Sequence, residues 1–283
     1  MTVLFDGIAY GGLLFLVSVG LSVTMGLMNF VNLAHGAFAM AGGFVAVVAM
    51  SRLGVPFLAA LPLAFVATAG AGAVLERTLY RRLYGASALD QVLFSIGLTF
   101  VAMAAATRLF GAGQQPVRLP EFLRGQWTVL GVDFGIYRVF LVLAVALLSA
   151  ALGLIVTRTR FGARLRAAVD DPIAARGSGI DVDRVFSVAF ALGSGLAGLG
   201  GALGIDVLGL DSSFALKYMV YFLLVVVVGG TGTVRGPLVA ALLLGVIDVA
   251  GKYYVPRAGA FGIYAAMVVL LVAFPRGLFG RRR

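Results

Sequence analysis

Cysteine is absent from these 283 residues, and histidine occurs once, as His35. Without thiols the chain can build no disulfide framework, no iron–sulfur cluster and no thiolate zinc site. One imidazole leaves too few ligands for a multi-histidine metal or haem centre, and no cofactor is expected. Charge is also scarce: Asp, Glu, Lys and Arg make up 12% of the chain, against 61% hydrophobic residues. Soluble domains carry about twice that charged share, so this chain lacks the polar surface to cover a water-exposed fold of its size. It belongs in a bilayer.

The formal net charge of +10 is carried mainly in turns between apolar runs, which fits membrane orientation and argues against nucleic acid. Met1 to Asp6 contain no basic segment, and the apolar stretch after them outruns the core of a signal peptide, so it reads as a retained span. Apolar runs lie at 7–28, 36–50, 56–76, 91–110, 138–157, 185–205, 218–229, 236–250 and 259–275. A crossing takes about 20 apolar residues. The expected fold class is all-α, a polytopic transmembrane helical bundle of about 8–9 membrane segments, in a single domain over residues 1–283. The runs 36–50, 218–229 and 236–250 fall short of a full crossing and read as broken or re-entrant helices lining a cavity, because free backbone groups cannot face lipid.

The loop 158–184 holds Arg158, Arg160, Arg164, Arg166, Arg176 and Arg184, which places it in the cytoplasm. Alternation then puts Arg77, Arg81, Arg82 and the tail inside, and the amino terminus outside. The outer connection 111–137, with Pro116, Pro120 and the single Trp127, reads as an interfacial segment. In 193–204 six glycines occur; small residues at that density let helix backbones approach closely in lipid, which marks a central helix.

Two interruptions stand out. Between Met28 and Gly36, Asn29, Asn32 and His35 form an uncharged polar patch. Each amide can both donate and accept, and neutral imidazole does one of each. They can staple an unwound turn, and the same groups can face a translocation path. No carboxylate lies within a turn of His35, which argues against a proton relay. The second interruption runs from Gly229 through Gly230, Thr231, Gly232, Thr233, Val234 and Arg235 to Gly236 and Pro237, and cannot continue a helix. It does not match the phosphate-binding Walker pattern, which needs a Gly-Lys pair followed by Ser or Thr. Breaks near both ends of the chain are a pattern that marks substrate interfaces in transporters.

In the charged loop, Asp171 precedes Pro172 as an aspartate N-cap with proline at the first helical position. One to two turns follow before Gly177 and Gly179. The result is a short amphipathic helix, which can lie on anionic lipid or dock a partner and push on both attached spans.

The stretch Gly26-Leu27-Met28-Asn29-Phe30-Val31-Asn32-Leu33-Ala34-His35-Gly36 closely resembles the signature of LivH-type permeases, the membrane subunits of branched-chain amino-acid ABC importers. So do Ala167 to Asp171 with Ala174, Ala175, Gly179 and Ile180, the glycine turn at 229–237, and the closing Phe274 to Gly280. Agreement runs from about residue 7 to 280. The resemblance implies a multi-pass inner-membrane permease paired with a second homologous permease, two cytoplasmic ATP-binding subunits and a periplasmic solute-binding protein. The ATP chemistry would lie in the partners, and this chain is not expected to be an enzyme. It would carry branched-chain or related amino acids, with urea or short amides as the alternative within the family and a stand-alone carrier as the alternative outside it.

The resemblance makes Asp170, Asp171, Ala174, Ala175, Gly179 and Ile180 the ATPase-coupling residues. Asn29, Asn32, His35, Gly36, Gly230, Thr231 and Gly232 are the expected helix-break or solute-path residues. Ala37 and Phe38 stand where the family commonly has an acidic residue after His-Gly.

Overall fold

The computed structural model describes the chain except residues 29, 31, 118, 130, 231–233, 258, 275, 276 and 280–283, and the side chains at 26–28, 129 and 260. Its helices are α1 (Thr2–Met28), α2 (His35–Leu53), α3 (Phe57–Thr78), α4 (Ala88–Phe110), α5 (Ile136–Arg158), α6 (Arg160–Asp170), α7 (Pro172–Gly177), α8 (Val182–Leu208), α9 (Phe214–Gly229), α10 (Arg235–Tyr254) and α11 (Gly259–Ala273). A single 3₁₀ turn, Tyr80–Leu83, links α3 to α4. Seven of these helices are long and apolar enough to cross a membrane, and α9 and α11 are shorter apolar helices. The chain is a polytopic helical bundle.

Two of the three runs expected to be short are full crossings. α2 has 19 residues and α10 has 20. Each helix continues through polar or amphipathic residues beyond its apolar run: Ser51 and Arg52 in α2, Lys252, Tyr253 and Tyr254 in α10. Such side chains keep their polar ends in the interface while their stems stay on the helix. α2 then stops at Gly54, whose φ of +65° closes a left-handed cap. Only α9, at 16 residues, stays short. In the outer connection, β1 (Gln126–Val129) pairs antiparallel with β2 (Val132–Gly135), with Trp127 opposite Phe134. Four-residue strands are too brief to leave an alternating signature.

The glycine-rich α8 is central and touches α1, α2 and α3. A Cβ on Gly201 would collide with the Ala39 carbonyl of α2, one on Gly42 with the backbone of Gly198, and one on Gly20 of α1 with Gly193. On the third side, a Cβ on Gly195 would stand 2.7 Å from the Phe65 ring of α3. A second seam joins α1 to α10, where a Cβ on Gly7 would lie 2.6 Å from Val246 Cα and one on Gly11 2.5 Å from the Ala241 carbonyl. Close backbone approach replaces the hydrophobic drive that lipid does not supply.

Gly42→Ala should therefore destabilise the chain by about 1–3 kcal/mol through overpacking against backbone. Gly70→Ala, on α3 with open space around it, should be neutral or stabilising by up to about 1 kcal/mol. Thermal unfolding in detergent compares the two, and equal losses would contradict the seam.

Candidate functional site

The first break is held from three directions. Inside it, Asn32 is 1% exposed, and its Oδ1 accepts the Ala34 N–H at 3.1 Å, which turns the chain into α2. His35, the first residue of α2, is 2% exposed, and its Nε2 lies 2.8 Å from the Val17 carbonyl in the middle of α1. A carbonyl only accepts, so Nε2 carries the proton. From α4, the Ser95 hydroxyl accepts the Leu33 N–H at 3.1 Å, and the Thr99 hydroxyl donates to the Leu33 carbonyl at 3.5 Å. Gly36 permits α2 to meet α9: a Cβ there would stand 2.7 Å from the Ala215 carbonyl. Asn29 lies outside the described residues.

The third support comes from the turn after α3. The Tyr80 hydroxyl donates to Asn32 Oδ1 at 3.1 Å. The Tyr80 ring packs edge-on against Phe30 at 5.3 Å and tilted against Phe190 of α8 at 4.8 Å. Beside it sits Glu76, fully buried. Tyr84 donates to Glu76 Oε1 at 2.7 Å, Ser187 of α8 donates to Oε2, and Arg81 Nε lies 3.5 Å from Oε1. Arg81 also donates to the Ser187 hydroxyl at 2.9 Å and reaches the Asp183 carbonyl at 3.5 Å. Burial first, and then the hydrogen bond to Glu76 and its charge, hold the Tyr84 phenol protonated well above the usual range, so it remains a donor. The Tyr84 ring is 6.1 Å from Phe30, which puts the Glu76 carboxylate one tyrosine away from the break.

The second break begins at Gly230, with φ of +87°; Thr231 and Gly232 lie outside the described residues. The chain's closing segment folds back on it. Leu278 N–H donates to the Val228 carbonyl at 2.7 Å, and Gly277, at φ +78°, is so close to Gly230 that a Cβ would stand 2.8 Å from its nitrogen.

On the loop side, α6 and α7 form a compact knuckle. The Asp171 side chain accepts the N–H groups of Ile173 and Ala174 at 2.9 Å each, with Pro172 at the first position of α7. Asp170, Asp171 and Ala174 are exposed, while Ala175 is buried at 4% against its own chain. Ile173, 81% exposed, is the apolar side chain that protrudes. Gly179 takes φ +79°, and Ile180 N–H returns to the Ala175 carbonyl at 3.0 Å. The knuckle is tied to α8 by Arg176, which pairs with Asp183 at 3.1 Å.

A family model described as branched-chain amino acid transport system, permease component, matches residues 3–274. The chain belongs to this family. As a permease of that kind it is 26% identical to the high-affinity branched-chain amino acid transport system permease protein BraD of Pseudomonas aeruginosa, over 98% of this chain and 95% of that protein. It is 24% identical to LivH of Escherichia coli, over 98% and 94% of the two chains. It is 29% identical to LivM of Salmonella typhimurium over 81% of this chain and 59% of LivM. No solved structure matches it. The resemblance carried by the four motifs is thus confirmed, and the chain is a multi-pass permease component of a transport system.

Tyr80, Tyr84, Glu76, Arg81 and Ser187 do not announce themselves in the sequence, because nothing local links them to residue 32. Gln91, Ser95 and Thr99 do leave a signal: spaced by four, they put a polar stripe on one face of an otherwise apolar span, and all three are buried. The Glu76 node makes a stability prediction for the permease. Glu76→Ala leaves the Tyr84 and Ser187 hydroxyls without their acceptor, while the part-exposed Arg81 keeps Ser187 and the Asp183 carbonyl, and should cost about 1–3 kcal/mol in thermal unfolding. Thr78→Ala, which removes an exposed hydroxyl bonded only within its own helix, should stay within about 0.5 kcal/mol.

Proposed function

We propose that this permease imports a branched-chain or related amino acid across the inner membrane, with ATP hydrolysed by subunits that dock on the α6–α7 knuckle. A second homologous permease and a periplasmic solute-binding protein complete the system, and residues 1–283 act as one translocating unit. One observation carries the mechanical part of this reading. A continuous set of contacts runs from Arg176–Asp183 at the knuckle, through Arg81, Ser187 and Glu76 to Tyr84, and from the Tyr84 ring through Phe30 to Tyr80 on Asn32. Displacement of α7 acts on the first turns of α8, and from there on the side chains that hold the first break closed.

Asn32 also supplies the solute-facing group in this reading. Its Oδ1 is committed twice, but its Nδ2 is buried without a hydrogen-bond partner among the described residues. An unspent amide donor beside unwound backbone suits the carboxylate of an amino acid once the break opens. His35 serves by holding α2 to α1. Gly36 and Gly230 let neighbouring backbones close on the two breaks, with Asn29, Thr231 and Gly232 assigned to the same path. Asp170, Asp171, Ala174, Gly179 and Ile180 present or shape the ATPase contact, and Ala175 anchors it from below.

A stand-alone ion-coupled carrier needs an acid free to exchange its ion. The two buried acids instead hold partners within the chain, Glu76 as above and Asp248 through Oδ2 with Lys252 at 2.5 Å, while Asp248 Oδ1 has no hydrogen-bond partner among the described residues.

In proteoliposomes holding the permease with the partner subunits of its own system, ATP should drive uptake of leucine, isoleucine or valine in preference to urea or acetamide. Preference for the amides would overturn the solute assignment, and accumulation without ATPase subunits would overturn the class. Deleting residues 172–177 should abolish ATPase co-purification; retention would remove the docking claim. Tyr80→Phe keeps the ring and loses only the donor. It should lower uptake by about tenfold, the equivalent of one hydrogen bond, with ATPase binding and hydrolysis unchanged. A parallel loss of hydrolysis would mean that Tyr80 acts on docking instead.

A further inference from the structure

The six arginines of the loop fall into groups with different surroundings. Arg176 is paired with Asp183, and Arg166 donates to the Val156 carbonyl of α5. Arg164 of α6 and Arg184 of α8 instead line one cavity of about 420 Å³ at the foot of the knuckle. Neither takes part in an ion pair among the described residues. The rest of the wall is largely apolar: Phe161 from α6, Ile180 from the loop, and Val185 and Val188 from α8. The one acid on the wall, Asp181, has its Oδ1 occupied by the Arg184 N–H at 3.0 Å as the cap of α8.

We propose that this cavity binds an anionic phospholipid, with its phosphate between the Arg164 and Arg184 guanidiniums and the start of an acyl chain along Val185 and Val188. Three observations favour that occupant. The cavity lies within two turns of Val182, the start of a helix long and apolar enough to cross a membrane, so that in a bilayer it would fall near the headgroup phosphates. Two unpaired guanidiniums complement a phosphodiester, and guanidinium is well shaped for its oxygens. Val188 is 39% exposed on a membrane span, so the apolar wall runs out toward hydrocarbon; a soluble anion would gain nothing from it. The knuckle's protruding tip, Ile173, is a separate surface.

The consequence reaches the loop. Gly179 and Ile180 line the same cavity, so a bound lipid rests against the residues that end the knuckle and sets its stance above the bilayer. The site shares Gly179 and Ile180 with the proposed ATPase contact, so it is tested on the permease alone, and uptake is not its test.

The test uses the full chain in nanodiscs with spin-labelled phosphatidylglycerol or phosphatidylcholine, reading the motionally restricted fraction. Phosphatidylglycerol should be preferred by about thirtyfold, in line with two basic contacts at the surface. Arg164→Gln with Arg184→Gln should bring the preference close to parity. Arg158→Gln with Arg160→Gln, which removes the same charge from outside the cavity, should leave most of it. Val188→Trp, which fills the cavity with both guanidiniums present, should also lose the restricted fraction, and this variant serves if the double substitution fails to fold. Preference surviving both cavity variants, or lost equally in the control, overturns the proposal. Displacement of the lipid by millimolar inorganic phosphate would show a site for free phosphate, and displacement by the docked ATPase would show a protein seat; either result overturns the lipid assignment.

Discussion

Inside the bundle, the described residues Phe30, Asn32, Leu33 and Ala34 lie outside the helices and are buried or half-buried, where water is a poor partner for their hydrogen bonds. Each freed group there must find a partner in the protein. The partners it finds come from different elements: the Val17 carbonyl of α1, the Ser95 and Thr99 hydroxyls of α4, and the Tyr80 hydroxyl from the turn beyond α3. A break satisfied in this way is tied to its surroundings. Any rearrangement that moves one of those donors changes the local energy by the worth of a buried hydrogen bond, and that is how a distant push can be felt.

The remainder of the architecture makes such a push effective. Glycine contacts bind α8 to α1 and α2 with backbone nearly against backbone, and to α3 through the Phe65 and Thr68 side chains seated on its glycines, and close-packed interiors transmit displacement instead of absorbing it. In its first turns α8 carries Asp183, Ser187 and Phe190 along one face. These three meet, in turn, the knuckle through Arg176, the buried Glu76 carboxylate, and the Tyr80 ring. A buried carboxylate held by one guanidinium and two hydroxyls is a poor source of stability compared with apolar packing. Its presence at a junction of three elements is better understood as fixing their mutual geometry.

Much of this was legible in the sequence. The bilayer environment, the nine apolar segments, the central glycine helix and the Asp171-Pro172 start of α7 each follow from local composition or spacing, and each is present in the fold. The family motifs were equally plain, since they are contiguous stretches. The misses share a cause. The lengths of α2 and α10 were underestimated because Arg52, Lys252, Tyr253 and Tyr254 look like loop residues until their long side chains are seen to reach past the apolar edge. The hairpin was hidden by its brevity. Above all, the Glu76 node depends on residues 76, 81, 84 and 187 meeting in space, and no one-dimensional pattern links position 80 with position 32.

Hydrogen–deuterium exchange at the amides of residues 30–36, in the assembled complex with and without nucleotide on the ATPase subunits, addresses the coupling most directly. The account requires exchange there to rise when nucleotide binds, and that response to vanish when the Tyr80 hydroxyl is removed. Exchange at the break that ignores nucleotide, or that responds equally without the hydroxyl, would contradict it.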